Sequence, residues 1–192
     1  MLNPEQHKYY DSEAIHKFII GHENMHSLGP NKNAELGKYT DVFEELKADM
    51  GSFANIDTLV EEGFYTPEER KEIIVTAVVN NGLKSMPKLS QTHRTCDVME
   101  FNYLYQHGAF EMNTEGIITV DFDKAEKAAK DMLDEIIFIQ ATGDIDKAEK
   151  FVSDYFYWDI ENELFADNLN KISKKLTGKF THPLADELLK KV

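Results

Sequence analysis

One long segment in the second half of the chain repeats its apolar residues at the spacing of an α-helix. Between Asp121 and Gly143 the apolar positions are Phe122, Ala125, Ala129, Met132, Leu133, Ile136 and Ile137. Side chains three or four positions apart share one face of a helix, so the pattern predicts a long amphipathic helix. Asp121 can cap its first turn and Gly143 can end it. Such a helix must bury its apolar face against other elements, and the rest of the chain offers mainly further helices.

The remaining segments complete a mostly helical plan. Thr66-Pro67-Glu68-Glu69 has the form of a capping box with proline at the first helical position. The runs 109–112 and 117–120 flank the polar tip Asn113-Thr114-Glu115-Gly116, which predicts a β-hairpin. We predict a mainly α fold, in which residues 1–192 form a single helical domain with one small β-hairpin. The other helices are predicted over 12–28, 40–63, 66–83, 90–107, 144–156 and 158–175.

Composition excludes several classes of protein. The 192 residues carry a formal net charge of −14, which repels phosphate backbones and anionic membrane surfaces. A single cysteine excludes an internal disulfide framework and a cysteine-based zinc site. No apolar run approaches the roughly 20 residues that a membrane span needs, and the first residues lack the layout of a signal peptide. We therefore expect a soluble, cytoplasmic protein that binds neither nucleic acid nor membrane.

The segment His22-Glu23-Asn24-Met25-His26 is an HExxH motif. On a helix, residues i and i+4 share a face, so His22 and His26 can bind one metal ion together. Glu23 follows His22 directly and points towards the edge of that site, where it can take a proton from water as a general base. The motif predicts a zinc site of the hydrolytic kind.

A third ligand is expected on the next helix, since catalytic zinc takes three protein ligands and keeps one position open. Glu45 follows His26 by 19 positions, which fits a short loop and a return on an antiparallel helix. Glu44 is the alternative ligand, because adjacent residues differ by only about 100° around a helix. Asp49 lies one turn after Glu45 and can accept the free N–H of a ligand histidine. Against this interpretation, the histidines could be ordinary polar-face residues and residues 44–49 a solvated acidic face.

The sequence also resembles a known family in residues beyond the motif. GHENMHSLGP followed by FEELKAD is similar to the zinc region of the dipeptidyl peptidase III family, most of all to its bacterial branch that is sometimes joined to a Nudix hydrolase. Further similar segments lie between residues 91 and 144, and the resemblance covers about residues 12–155. It implies the helical, zinc-bearing lobe of a peptidase that uses Zn²⁺ to hydrolyse peptide bonds, as a dipeptidyl peptidase or aminopeptidase does.

The resemblance also implies roles for individual residues. His22, His26 and Glu45 correspond to the zinc ligands, and Glu23 corresponds to the general base. Asp49 matches the acidic residue that supports a ligand histidine. His93 matches a histidine that faces the zinc and helps to stabilise the transition state; spacing alone would not have singled it out.

The chain departs from the family in two respects. Family members have two lobes with the peptide between them, whereas this chain matches only one lobe. The family places arginines on the helix after the matching histidine, and the aligned positions here are Asp97 and Asn102. Two alternatives to a peptidase therefore stay open: a non-catalytic metal-binding or interaction module, or one lobe of a larger enzyme completed by a second lobe, a partner chain or a homo-oligomer. A plain helical scaffold without metal is the third.

Overall fold

The structure, a computed structural model, describes residues 1–29, 35–80 and 83–175, without the side chains of 172–175. Part of the predicted domain, residues 176–192, lies outside this range. Two short 3₁₀ helices, Pro4–Tyr9 and Gly37–Tyr39, precede the first and second α-helices. The described elements are α1 (Ala14–Met25), α2 (Thr40–Ala54), α3 (Ile56–Glu61), α4 (Pro67–Val79), α5 (Thr92–Gln106), β1 (Phe110–Met112), β2 (Ile118–Val120), α6 (Phe122–Thr142), α7 (Ile145–Tyr155) and α8 (Ile160–Lys175).

The mainly α fold with one β-hairpin is confirmed. Strands β1 and β2 pair antiparallel, with Phe110 opposite Val120 and Met112 opposite Ile118. The chain start adds to this hairpin, because the Asn3 amide donates to the Ile118 carbonyl at 2.7 Å. Within the described residues, no helix is both long and apolar enough to cross a membrane.

Local signals at the helix ends are also confirmed. Thr66 and Glu69 form the predicted capping box at the start of α4, each side chain accepting the other residue's backbone N–H. The Asp121 side chain accepts the Lys124 amide at the start of α6. Gly143 ends α6 in the left-handed conformation, at φ 62°, which glycine adopts without the steric penalty of a Cβ.

The prediction of a single helix over 40–63 is wrong, because the helix is interrupted at Asn55, between α2 and α3. The Asn55 side-chain amide donates to the Gly51 carbonyl at 2.8 Å, and its backbone sits at ψ 0°. An asparagine side chain bonded to its own backbone competes with the helical ladder, which is why it favours helix ends. After the break α3 packs against α4, and its Asp57 amide donates to Glu126 Oε1 on α6 at 3.1 Å.

Helix α2 lies at the centre of the core and packs against α1, α5 and α6. Its buried face follows the helical period, because residues three and four apart point the same way. The fully buried side chains on it include Phe43, Leu46, Met50 and Phe53. Its acidic residues are thereby fixed in position by the core around them.

Helices α1 and α2 approach each other closely at two glycines. A Cβ on Gly21 would stand 2.2 Å from the Ser52 hydroxyl oxygen, and a Cβ on Gly51 would stand 2.7 Å from Met25 Cγ. Non-bonded heavy atoms do not come this close to each other, so only glycine permits this approach of the two helices. The contact brings the last turn of α1 against the acidic residues of α2.

Candidate metal centre

The end of α1 and the middle of α2 bring three potential ligand atoms together. His22 lies in the last turn of α1, and His26 is the residue that caps its end. Their Nε2 atoms are 3.0 Å apart. Glu45 Oε2 lies 3.4 Å from His22 Nε2 and 3.7 Å from His26 Nε2. The three atoms form a small triangle of partly buried side chains.

The dimensions of this triangle fit a tetrahedral metal ion. Ligands about 2.0–2.1 Å from zinc in a tetrahedron lie roughly 3.3 Å from one another, which is the scale of the observed separations. Glu45 Oε2 is buried and has no hydrogen-bond partner. Within the described residues, His22, His26 and Glu45 are the one group of histidine, cysteine, aspartate or glutamate side chains arranged to hold a metal ion.

His22 is held from behind by Asp49. Asp49 Oδ1 lies 2.7 Å from His22 Nδ1, and since a carboxylate can only accept, the ring N–H donates. In the metal-free protein this hydrogen bond raises the pKa of His22 above its usual value, against the opposing effect of burial. The bond fixes the ring so that its other nitrogen, Nε2, faces the triangle.

His26 is held in the same way by Glu44. Glu44 Oε1 lies 3.1 Å from His26 Nδ1 and also accepts a hydrogen bond of 2.7 Å from Lys47 Nζ. The second oxygen of Glu44 accepts from Gln140 Nε2 at 3.4 Å. Burial alone would raise the pKa of Glu44, but the bonds from Lys47 and His26 outweigh it and the pKa is lowered. Buried Lys47 also donates to the Leu28 carbonyl at 2.8 Å, just beyond the end of α1.

The hydrogen bonds leave an excess of acceptors at the centre. With both Nδ1 atoms donating to carboxylates, neutral rings present lone pairs at both Nε2 atoms, next to the unpaired oxygen of Glu45. Three acceptors this close repel one another unless a proton or a cation lies between them. A proton on one of the rings relieves this repulsion, and so does a divalent cation.

The two remaining predicted residues are neighbours of the triangle residues Glu45 and His22. His93, near the start of α5, is largely exposed, and its Nδ1 lies 3.4 Å from Glu45 Oε2. Glu23 is exposed on α1, beside His22. All six residues singled out in the sequence therefore lie in one region. Of the two candidate ligands on α2, the geometry favours Glu45, since Glu44 contacts Nδ1 of His26 and not Nε2, the ring nitrogen in the triangle.

Sequence reasoning missed the residues that support His26. From the sequence, Glu44 was considered only as an alternative metal ligand and not as a hydrogen-bond partner of His26. Lys47, one helical turn after Glu44, was the available signal that Glu44 forms an ion pair. Gln140 is 96 positions away from Glu44, and no local pattern indicates that contact. Asn102, at a position where the family has arginine, is buried and donates to the Tyr155 and Tyr157 carbonyls at 2.8 and 2.9 Å.

Comparison with known proteins finds similar proteins that match most of the chain. No family model matches the sequence. The chain is 25% identical to "Nudix hydrolase 3" of Arabidopsis thaliana, over an alignment of 199 residues that covers 98% of this chain. Its structure is similar to DPP III from Caldithrix abyssi, with a TM-score of 0.80 and 26% identity over 89% of this chain. It is also similar to dipeptidyl-peptidase III from Corallococcus sp. strain EGB, with a TM-score of 0.79 and 22% identity over 88% of this chain.

These relatives are much longer than the chain. It spans 26% of the plant protein, 35% of the Caldithrix chain and 34% of the Corallococcus chain. The helical fold is thus that of one part of the dipeptidyl peptidase III structures.

Proposed function

We propose that the protein binds Zn²⁺ through His22, His26 and Glu45 and hydrolyses peptide bonds, as a dipeptidyl peptidase or aminopeptidase does. The observation that carries the proposal is Glu45 Oε2, which is buried without a hydrogen bond at 3.4 and 3.7 Å from the Nε2 atoms of His22 and His26. A structural zinc site would be closed by a fourth protein ligand, whereas this group has three. The similarity to the dipeptidyl peptidase III structures supports the same reaction class.

The residues of the chain divide the chemistry between them. When bound, zinc supplies Lewis-acid polarisation of the scissile carbonyl and acidifies water. Glu23 accepts the proton of the attacking water and passes it to the leaving amine. His93 donates to the oxyanion that develops on the carbonyl, a contribution of roughly 2.7–4 kcal/mol for a well-placed donor. Asp49 and Glu44 keep the two ligand rings oriented.

A second candidate function rests on the length of the chain. Because it spans about a third of the dipeptidyl peptidase III chains, it can be one lobe of a larger enzyme that a second lobe or a partner chain completes. In that case zinc binds to this chain alone, and peptide hydrolysis requires the second component.

Metal binding is tested first, by the zinc content of the purified wild-type chain and of Glu45→Ala. We expect about one zinc per wild-type chain after equilibration with excess zinc and gel filtration, and none in the variant. Glu115→Ala, at the exposed tip of the hairpin, is the matched control and keeps the metal. A wild-type chain that binds no zinc would refute the site.

Hydrolysis is tested next, with a panel of fluorogenic dipeptidyl and aminoacyl amides. We expect Glu23→Gln to keep its zinc and to lose nearly all turnover, because glutamine cannot take up the proton. Turnover that persists in Glu23→Gln contradicts the assignment of the base. Zinc binding without turnover on any substrate favours the one-lobe or non-catalytic alternatives.

A further inference from the structure

A second buried carboxyl group lies behind the candidate metal centre. Glu100, in the middle of α5, is only 9% exposed. It lines a cavity of about 190 Å³ between α1, α2, α4 and α5, together with Asp49 and Asp97 and a largely apolar wall. None of the proposed catalytic steps uses it.

Glu100 contacts the residue that holds His22. Glu100 and Asp49 line the same cavity with their carboxyl groups in contact, and Glu100 Oε1 is buried without a hydrogen-bond partner. Two carboxyl groups in a buried contact cannot both be charged, so one proton must lie between them. Asp49 already accepts the His22 N–H.

The electrostatics place that proton on Glu100. Burial raises the pKa of Glu100 well above its usual value, and the negative charges of Asp49, Asp97 and Glu45 raise it further. A carboxyl group kept neutral in this way is a hydrogen-bond donor. Its O–H therefore points at Asp49, and its carbonyl oxygen is left unpaired.

We propose that Glu100 is a positioning residue of the metal centre: its carboxyl group donates to Asp49, which in turn orients His22 towards the metal. The inference rests on the proposed zinc site and extends its support by one residue, from α2 to α5. The hydrogen-bond chain Glu100–Asp49–His22 fixes the rotamer of Asp49. The same chain ties the ligand on α1 to the helix that carries His93.

The test compares Glu100→Gln and Glu100→Leu with the wild type. Glutamine has the same shape and donates through its amide N–H, whereas leucine fills the space and cannot donate. Leu104→Ala is the matched control. Leu104 is buried one turn further along α5 and lines the same cavity, but it takes no part in the hydrogen bonds that join Glu100, Asp49 and His22. Each protein is first checked for the helical circular dichroism spectrum of the wild type, and its zinc affinity is then measured by competition with a chromophoric chelator.

We expect Glu100→Leu to bind zinc about 10-fold more weakly, the lower end of the 10–100-fold that loss of a supporting residue costs. Glu100→Gln should stay within about 2-fold of the wild type, as should Leu104→Ala despite a lower unfolding temperature. Wild-type affinity in folded Glu100→Leu overturns the inference. So does an equal loss in Glu100→Gln and Glu100→Leu, since it means that a charge and not a donor is needed.

A second readout separates this inference from the proposed function. In the metal-free protein, the His22 Nδ1–H bonded to Asp49 should give a slowly exchanging imidazole N–H resonance in ¹⁵N-edited NMR spectra, identified by its loss in Asp49→Ala. We expect the resonance to persist in Glu100→Gln and to disappear in Glu100→Leu. If the wild type binds no zinc but this pattern holds, the zinc site is wrong and the positioning role stands. A resonance that persists in Glu100→Leu overturns the positioning role.

Discussion

The two helices that carry the candidate metal centre are held in the protein by different means. Helix α2 is buried along most of its length, with ten of its 15 residues buried. Helix α1 has one buried residue, Ala14, at its first position, and exposes Ile19 and Ile20 by 46% and 60%. The acidic half of the centre is therefore fixed by the hydrophobic core, whereas the histidine half depends on a small number of specific contacts.

These contacts are concentrated where α1 meets α2. Gly21 and Gly51 allow the close approach, and Lys47 holds the carbonyl groups just beyond the end of α1. The two histidine rings are then oriented by Asp49 and Glu44, both on α2. The difference shows that the buried helix acts as the template for the centre, and the exposed helix is positioned on it.

The two ring contacts differ in their surroundings. The His22 side chain is 14% exposed and its partner Asp49 is backed by buried Glu100, whereas the His26 side chain is 30% exposed and its partner Glu44 is backed by the cation Lys47. Water can replace a lost partner at His26 more easily than at His22. The support of His22 should thus matter more for metal binding.

The largest expected effect comes from removing these ring partners one at a time. We expect Asp49→Ala to weaken zinc binding about 100-fold and Glu44→Ala about 10-fold, the two ends of the range for residues that orient metal ligands. Chelator competition at constant pH measures both values. Equal losses would contradict the difference between the two rings, and a larger loss in Glu44→Ala would reverse it.

The helix contact itself is tested by Gly21→Ala. Helix propensity alone favours alanine by about 1 kcal/mol, whereas overlap with Ser52 costs about 1–3 kcal/mol, as overpacking typically does. Since the overlap at 2.2 Å is severe, we expect a lower free energy of unfolding by urea denaturation and weaker zinc binding at the adjacent His22. Gly21→Ala combined with Ser52→Gly should recover both. If Gly21→Ala alone is more stable than the wild type, α1 is not held by this contact.

The sequence predicted those parts of the centre that obey a local period. His22 and His26 share one helical turn, and so do Glu45 and Asp49, so each pair could be read from spacing. The spacing of 19 positions between His26 and Glu45 predicted the reversal between the two helices, though residues 30–34 lie outside the described residues. His93 came from the resemblance alone.

The sequence could not predict contacts that depend on tertiary packing. Glu100 was one buried residue among many on α5, and only the packing of α5 on α2 brings it to Asp49. The break at Asn55 was missed because its side-chain bond to Gly51 competes with a helical pattern that continues on both sides. Zinc, the branch of the family and the peptide cleaved stay predictions.

The smallest expected effect concerns the other end of α1, where an ion pair at the surface joins it to α4. Lys17 Nζ donates to Glu69 Oε1 at 2.5 Å, and this bond, followed by those from Thr66, lowers the pKa of Glu69 to about 2. A carboxyl group whose pKa is lower in the folded state stabilises the protein above its unfolded pKa, near 4.3–4.5, and loses that contribution as the pH falls towards 2. Glu69→Gln removes the charge but keeps the capping box, since glutamine serves in that motif.

We expect Glu69→Gln to lower the free energy of unfolding at pH 7 by about 0.2–1 kcal/mol, because both partners of the pair are about one-third exposed and screened by solvent. The difference from the wild type should be constant down to about pH 5 and should shrink steadily between about pH 4.5 and pH 2, the folded pKa. Urea denaturation at low salt across this range measures it, with Glu68→Gln, in the same exposed turn, as the control. A difference that does not change with pH would mean that the charge of Glu69 does not hold α1. A difference as large as that of Gly21→Ala would mean that α1 is fixed from both ends, and not mainly where it meets the template helix.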